Sequence, residues 1–299
     1  MPVTGRIVEE QKSFYLVDTE CGSVRSTIRG ALKKTKTRLC AGDLVDLELT
    51  NKNPPEGIIT AVHSRTSHLK RPAVANLSRI FFVTTIKSPA LDLEALDRFL
   101  FSAQVLNIEA VIVFNKIDIL VGDDLDLLKR IESLYQKIGY TIIETSASTG
   151  IGTDKVIELC TDRISAFAGL SGVGKSSLLS LIFPDKTFRI GNVSGTNGRG
   201  THTTTHISLH PLKQGGYVAD TPGLSFVDIP KVPETEVINY FPELANRIGE
   251  CRFNNCIHDG EPGCAIQTLT EQDQIAASRL NHYLKFYKQM KEQRKQYRD

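Results

Sequence analysis

The chain has 299 residues, of which 40% are hydrophobic and 23% are charged. That length predicts two or three domains, and that composition excludes disordered and fibrous classes of protein. No apolar run approaches the roughly 20 residues that a membrane-spanning helix needs. Because the opening residues MPVTGRIVEE also lack a signal-peptide pattern, we expect a cytoplasmic protein without membrane contact.

The net charge of +2 hides an uneven distribution. Residues 1–72 carry 12 Lys and Arg against 8 Asp and Glu, residues 277–299 carry 7 against 2, and residues 73–276 are acidic. Basic ends around an acidic middle indicate a polyanionic partner that is held from two sides. A solvated Lys-rich terminal helix is the alternative, and charge alone leaves both interpretations open.

Residues 1–70 are predicted to form a barrel of five short strands, with the OB-fold as the leading candidate. Five stretches alternate apolar and polar residues between Gly and Asn-Pro turns: GRIVEE, SFYLVDT, GSVRSTIRG, AGDLVDLEL and GIITAVHSR. One loop is crowded with basic residues: Lys33, Lys34, Lys36 and Arg38. Such a loop binds nucleic acid in many barrels of this kind, or it is merely solvated. The next stretch, LKRPAVANLSR, is predicted to be a linker because Pro72 biases its predecessor away from helix.

Residues 71–230 are predicted to form an α/β domain with a mostly parallel sheet flanked by helices. The buried-strand runs RIFFVTTI, AVIVFNKID, YTIIETSA and RISAFAGL alternate with the helical stretches LDLEALDRFLFSAQVL, LDLLKRIESLYQKIG and TDKVIELC. GKSSLLSLI then opens another helix, and THISLHPL with GGYVADTPG predicts a hairpin of two further strands.

The stretch GLSGVGKSS follows a predicted strand and opens a predicted helix, which is the context that a phosphate-binding P-loop requires. Its glycines let backbone N–H groups close around the β-phosphate, Lys175 adds charge at the β- and γ-phosphates, and the Ser176 hydroxyl binds Mg²⁺. The predicted nucleotide contacts are Gly169, Leu170, Ser171, Gly172, Val173, Gly174, Lys175, Ser176 and Ser177. ATPases and kinases share this pattern, so the loop alone does not choose the base.

NKID, at residues 115–118, predicts guanine as the base. The Asp118 carboxylate can accept hydrogen bonds from N1–H and the exocyclic amine of guanine, whereas adenine would leave that carboxylate unpaired. Asn115 is expected to bond the carbonyl side of the base, and the stem of Lys116 to cover its face. The stretch SAS ends the next predicted strand, where backbone N–H groups of Ser146, Ala147 and Ser148 can meet the guanine O6.

Two further stretches are predicted to contact the γ-phosphate and Mg²⁺. DTPG ends another strand, so that Asp220 can hold Mg²⁺ through water and the Gly223 N–H can meet the γ-phosphate. Upstream, one threonine of the loop GTNGRGTHTTT would complete the Mg²⁺ shell when GTP is present. Thr204 is the first candidate for that role and Thr203 the second.

The residue that positions the attacking water is less obvious from the sequence. Many GTPases place Gln just after the DxxG glycine, but Leu224 stands there in this chain and cannot orient water. His202 lies beside the proposed Mg²⁺ threonine and is the nearest candidate. The alternative is an ordinary loop histidine.

The GTPase elements stand in an unusual order, since the base-reading stretches NKID and SAS precede the P-loop. A circular permutation explains this order, because the termini of such a sheet can lie close together and rejoining them preserves every contact. DTPG then leads directly into residues 231–299, so we expect nucleotide state to move that last domain.

Residues 231–299 are predicted to form a zinc-binding domain that ends in a basic helix. Cys251, Cys256, His258 and Cys264 supply three thiolates and an imidazole, which suit one tetrahedral structural Zn²⁺. A disulfide is the weaker interpretation in a cytosolic chain. The helix LTEQDQIAASRLNHYLKFYKQMKEQRKQ carries a partial apolar stripe: Ile275, Leu280, Tyr283, Leu284 and Tyr287.

With these elements assembled, the chain resembles the circularly permuted, small-ribosomal-subunit-dependent GTPases of bacteria and plastids. The resemblance lies in NKID, SAS, GLSGVGKSS, GRGTHTTT, DTPG and CRFNNCIHDGEPGC, between a small barrel and a terminal helix. It implies that the barrel and the zinc domain contact ribosomal RNA, and that weak GTPase activity is stimulated by the small subunit late in its maturation. It also implies that His202 is catalytic, although the family often has Arg where this chain has Thr201.

The function that we expect is therefore a monomeric GTPase whose three domains grip the small subunit with GTP bound and leave after hydrolysis. An RNA-binding module whose GTPase-like domain only senses nucleotide is one alternative. A P-loop kinase or ATPase is another, and NKID argues against it.

Overall fold

The computed structural model describes residues 3–30, 38–70, 72–186, 207–220, 230–267 and 274–295. The predicted basic loop residues Lys33, Lys34 and Lys36 lie outside these ranges. Among the described residues, no helix is both long enough and apolar enough to cross a bilayer.

The first five strands close into a barrel. They are β1 (Val3–Glu10), β2 (Tyr15–Thr19), β3 (Gly22–Ile28), β4 (Leu44–Lys52) and β5 (Pro55–Val62). β1 pairs with β2 and β4, β2 with β3, and β3 with β5, while β4 pairs with β5 and completes the ring. Alternate residues such as Ile7, Val17 and Ile59 are fully buried inside. The predicted five-stranded barrel is confirmed.

The predicted linker after the barrel is instead a short hairpin, β6 (His68–Lys70) and β7 (Ala73–Ala75). Its apolar residues Leu69 and Val74 are buried in the core of the next domain. The Ala75 N–H also donates to the Ala41 carbonyl at 2.9 Å. A Cβ at Gly42, where φ is +95°, would lie 1.9 Å from the Ala75 carbonyl oxygen, so only glycine fits there. The linker expectation was wrong because the apolar side chains of Leu69 and Val74 gain free energy on burial. Their burial fixes the barrel against the α/β domain.

The α/β domain follows in the predicted order. Its strands are β8 (Arg79–Thr84), β9 (Glu109–Phe114), β10 (Thr141–Glu144), β11 (Ile164–Ala168), β12 (Ser208–Pro211) and β13 (Tyr217–Asp220). Its helices are α1 (Leu93–Val105), α2 (Asp123–Ile138), α3 (Thr153–Cys160) and α4 (Lys175–Ile182). The strand order is β10-β9-β8-β11-β13-β12, with all pairs parallel except the hairpin β12–β13.

Both faces of this sheet are covered by helices. On β8, Ile80 and Phe82 face the core that α1 and α2 complete, whereas Phe81 and Val83 face the core shared with α3 and α4. Every residue of β8 and of β11 is buried, as a central parallel strand requires. Because parallel strands end at the same edge of the sheet, the loops after β8, β9, β10, β11 and β13 gather there.

The last domain packs against α1. It contains a 3₁₀ helix (Glu234–Tyr240), α5 (Pro242–Ala245), the cysteine-rich loop and α6 (Gln274–Lys295). Phe101 of α1 lies in a cluster of aromatic rings with Phe241 and Phe286. On α6 the predicted stripe residues Leu280 and Tyr283 are buried, and Phe286 and Met290 extend the buried face.

A buried charged network also joins α6 to the α/β domain. Asp97 of α1 accepts a hydrogen bond from the Tyr135 hydroxyl at 2.7 Å, and His282 Nδ1 lies 2.6 Å from its other oxygen. Arg279, which is 2% exposed, pairs with Asp97 and places its Nε 2.6 Å from a carboxylate oxygen of Glu243. Removal of one partner of a buried ion pair destabilises the fold, because the other charge is then left buried and unpaired.

We expect Asp97→Ala to lower the free energy of unfolding by about 3–5 kcal/mol, since it leaves the Arg279 guanidinium buried with half of its carboxylate partners. Urea unfolding followed by circular dichroism measures this loss. Glu94→Ala on the same helix removes the solvent-accessible pairs with Lys285 and Arg98 and should cost about 0–1 kcal/mol. Equal losses of stability in the two variants would contradict a stabilising role for the buried Asp97 network.

Candidate guanine-nucleotide site and metal centre

The P-loop connects β11 to α4, and its backbone requires glycine. Gly169 has φ of +138°, and a Cβ there would lie 2.1 Å from the Val83 carbonyl oxygen. Lys175 opens α4 and donates to the carbonyls of Gly169 and Leu170, each at 2.7 Å. Burial lowers the pKa of Lys175. Its ammonium therefore lies over the loop where phosphates would bind.

The side chain of Asn115 links three loops at this edge. It is 1% exposed, and its Nδ2 donates to the Val173 carbonyl of the P-loop at 2.8 Å. Its Oδ1 accepts from the Ala147 N–H and from the Thr145 hydroxyl, both at 3.1 Å. The sequence suggested a contact between Asn115 and the base, but it did not show that this residue also holds the loops together.

Lys116 fastens a further loop to the site. With φ of +63°, it lies in the left-handed region just before a 3₁₀ helix (Ile117–Ile119). Its Nζ donates to the Ser88 and Gly172 carbonyls, each at 2.7 Å. Residues 85–92, the loop between β8 and α1, were not predicted to belong to the site. No recognisable pattern marks them, because Ser88 contributes only a backbone carbonyl.

Asp118 is oriented by two hydroxyl groups of the SAS stretch. Ser146 Oγ donates to one carboxylate oxygen at 2.6 Å, and Ser148 Oγ donates to the other at 2.8 Å. These two hydrogen bonds hold the pKa of Asp118 below its usual range, so the group is ionised at neutral pH. An oriented, ionised carboxylate at the surface matches the two donors on the edge of guanine. From the sequence, these serines were expected to contribute only backbone N–H groups, so their hydroxyl contacts were not predicted.

Of the predicted Mg²⁺ and switch residues, the structure describes Ser176 and Asp220. Ser176 lies in the first turn of α4, and Asp220 ends β13, the strand paired with β11. Both lie at the edge of the sheet that carries the P-loop, where two oxygen ligands fit the preference of Mg²⁺. Four predicted residues lie outside the described ranges: His202, Thr203, Thr204 and Gly223.

The cysteine-rich loop brings its four predicted ligands together. The ligand atoms of Cys251, Cys256, His258 and Cys264 all lie within 4.8 Å of one another. His258 Nδ1 is 3.6, 3.5 and 3.4 Å from the three sulfur atoms, in chain order. Tetrahedral Zn–S and Zn–N bonds of normal length place sulfur and nitrogen about 3.5 Å apart. The donor set and its spacing therefore fit one tetrahedral metal ion.

Two family models match the chain. The one described as RsgA GTPase covers residues 62–230, and the one described as RsgA N-terminal domain covers residues 4–59. The chain belongs to the RsgA GTPase family. A small ribosomal subunit biogenesis GTPase RsgA from Moorella thermoacetica is 43% identical over 94% of this chain and 95% of that protein. A relative of the same name from Geobacillus kaustophilus is 37% identical over 98% and 99%.

Two solved structures have the same architecture as this chain. YjeQ from Thermotoga maritima has a TM-score of 0.83 at 33% identity and covers 97% of this chain and 99% of its own. YloQ, described as a circularly permuted GTPase, has a TM-score of 0.79 at 29% identity, with coverage of 98% and 96%. These likenesses and the RsgA family models confirm the predictions of a permuted GTPase fold and of a GTPase enzyme.

We expect Asp118→Asn to change base preference from guanine to xanthine. Xanthine has a carbonyl where guanine has its exocyclic amine, and the asparagine NH₂ group can donate to that carbonyl. With guanine, the same NH₂ group would face another donor. The ratio of GTP to XTP affinity should fall on the order of a hundredfold, as measured with fluorescent nucleotide analogues. Asp126→Asn, at an exposed site on α2, is the control, and an unchanged ratio in Asp118→Asn would contradict the assignment.

We expect Cys256→Ser to lose the metal ion and to destabilise the last domain, because a hydroxyl is a poor substitute for a thiolate ligand. Elemental analysis of purified protein should show about one ion per chain before the change and almost none after it. Cys21→Ser, at an exposed cysteine of the barrel, should keep the ion. Full metal content in Cys256→Ser would argue against this cluster.

Proposed function

We propose that the protein is a GTP-hydrolysing assembly factor that binds the small ribosomal subunit and its RNA late in maturation. Its relatives are named as small ribosomal subunit biogenesis GTPases. The observation that carries the chemistry is the convergence of the P-loop, NKID and SAS loops on the Asn115 side chain. That arrangement supports a site for a guanine nucleotide in a chain whose elements are permuted.

In this proposal Asp118 reads the guanine edge while Asn115, Lys116 and residues 146–148 complete the base pocket. When the nucleotide binds, the Lys175 ammonium gives up its hydrogen bonds to the Gly169 and Leu170 carbonyls and donates to the phosphates instead. Ser176 and Thr204 would hold Mg²⁺, which neutralises charge on the β- and γ-phosphates when bound. Asp220 and Gly223 support the metal shell and the γ-phosphate.

His202 would orient the attacking water in the same proposal. An imidazole next to the Mg²⁺ threonine can accept a proton from water as that water attacks the γ-phosphate. The proposal rests here on the order of residues in the sequence and on the family resemblance.

Zinc is the metal that we propose for the Cys251, Cys256, His258 and Cys264 cluster. Three thiolates and an imidazole favour Zn²⁺ over the harder divalent ions, and a closed set of four ligands is typical of a structural site. Cys264 also lies in the core of the last domain, so the ion would join the loop to that core.

We further propose that the cytoplasmic monomer releases the subunit after hydrolysis. Two connections between the nucleotide site and the last domain support this idea. In the sequence, the segment after Asp220 of β13 leads into the last domain, and the Asp97 network holds α6 of that domain against α1. The basic barrel and the basic terminal helix would neutralise RNA phosphates, so binding should weaken as salt rises.

An RNA-binding module that only senses nucleotide is the second candidate. The specific observation in its favour is Leu224, which replaces the glutamine that many GTPases use to orient water. The two candidates differ in whether bound GTP turns over faster on the ribosomal subunit.

We expect purified small ribosomal subunits to raise GTP turnover at least about tenfold, because a partner that orders a water-positioning group speeds hydrolysis strongly. Phosphate release is measured with and without subunits, and ATP and the Lys175→Ala variant are the controls. His202→Ala should bind GTP normally and lose the stimulated turnover. Binding of GTP without stimulation would remove the ribosomal role, and unchanged stimulation in His202→Ala would move the water-positioning role to another residue.

A further inference from the structure

The functions above assign no role to the individual residues at an exposed tip of the cysteine-rich loop. It consists of Arg252, Phe253, Asn254 and Asn255, which we call the 252–255 tip. All four residues are exposed, and metal ligands Cys251 and Cys256 flank them directly. Phe253 is 43% exposed, and no other phenylalanine in the described part of the chain has this degree of exposure.

The backbone of the 252–255 tip is held in place. The Arg252 N–H donates to the Gly263 carbonyl at 3.0 Å, and the Cys256 N–H donates to the Phe253 carbonyl at 3.2 Å. The Arg252 stem crosses Gly263, where an added Cβ would lie 2.9 Å from the Arg252 Cβ. Because metal ligands flank it on both sides, the turn that carries the Phe253 ring is already ordered. Binding of a partner therefore costs little conformational entropy of this loop.

The chemistry of the tip suits an unpaired nucleotide. The Arg252 guanidinium lies 5.5 Å from the centre of the Phe253 ring, and Phe and Arg planes are the groups on which proteins stack splayed RNA bases. The amides of Asn254 and Asn255 can donate to and accept from the edge of a base. The tip contains no carboxylate that would repel phosphate.

The surroundings favour RNA over a protein partner. The neighbours of Phe253 in the tip are Arg and Asn, whereas docking sites for proteins usually offer a contiguous apolar patch. The same loop meets the basic helix α6, where Lys288 Nζ lies 3.0 Å from Asp259. A groove of about 500 Å³ runs along that contact and is lined by two ammonium groups, Lys285 and Lys288, and by two carboxylates, Asp259 and Glu292. Lys285 pairs with Glu94 and Lys288 with Asp259, and because such exposed pairs are weak, phosphates that follow a stacked base could displace these carboxylates.

We propose that Phe253 stacks on an unpaired RNA base, with Arg252 against the ring and Asn254 and Asn255 at the edge of the base. This inference rests on the proposed ribosomal function, to which it adds single-stranded RNA as the form of RNA that this loop takes. It is independent of the GTPase chemistry, because the 252–255 tip belongs to a different domain from the nucleotide loops.

The chain contains no tryptophan, so Phe253→Trp introduces a single indole at the tip. Single-stranded RNA of about twelve nucleotides is titrated into the metal-loaded full chain at low salt. An abasic strand of the same charge is the matched probe. We expect indole emission to be quenched by RNA with bases and not by the abasic strand. Ile248→Trp, at an exposed position of the same domain, should respond weakly to both.

Phe253→Ala should weaken binding of the same RNA on the order of tenfold, whereas Phe253→Tyr should keep it, because stacking needs the ring and not its exact surface. Metal content and basal GTP turnover should stay unchanged in both variants. Equal quenching by the two strands, equal response of the two tryptophans, or wild-type affinity of Phe253→Ala would overturn the proposal. Quenching by small ribosomal subunits but not by RNA would indicate that a protein contacts the ring, and this result would also overturn the proposal.

The two proposals fail separately. If the unaltered protein shows no subunit-stimulated turnover but Phe253→Trp is quenched by bases, the ribosomal role falls and the stacking surface stands. If turnover is stimulated and no quenching occurs, the stacking surface falls and the ribosomal role stands.

Discussion

The nucleotide site depends on the buried side chain of Asn115. It joins its own loop to the P-loop through the Val173 carbonyl and to the SAS loop through the Ala147 N–H. A buried donor or acceptor without a partner costs about 1–3 kcal/mol, so these bonds hold the loops together before a nucleotide binds. A hydrogen bond depends on position and not on chain order. The site can therefore form although the P-loop follows NKID in the sequence, which is why the permutation is tolerated.

The same loops are tied to the outer domains by packed contacts. Lys116 binds the Ser88 carbonyl in the loop that leads into α1, and α1 carries Asp97, which holds Arg279 of α6. On the other side, the hairpin β6–β7 buries Val74 in the core of the GTPase domain and fixes the barrel. The loop before α1 is thus connected to α6 by a continuous series of hydrogen-bonded and packed residues.

The sequence predicted those parts of the fold that local patterns encode. Buried runs such as RIFFVTTI gave the strands, and short spacings gave the P-loop, NKID and the metal ligands. The rest depends on contacts between distant residues. Asp97 and Arg279 are 182 positions apart, and each looks like a solvated charge on an amphipathic helix. The hydroxyl contacts of Ser146 and Ser148 with Asp118 were likewise invisible, because they become evident only when β9 and β10 are placed side by side.

The basic terminal helix shows why charge alone left two interpretations open. Arg279 is buried against Asp97 and Glu243, while Lys285 pairs with Glu94 and Arg294 with Glu234. Part of the positive charge therefore docks the helix onto the protein itself. The exposed pairs are weak, so an RNA phosphate can compete for Lys285, but it must displace the Glu94 carboxylate to do so. In the proposed RNA complex, fewer counterions are then released than the number of basic residues suggests, so binding should weaken with salt less than that number alone predicts.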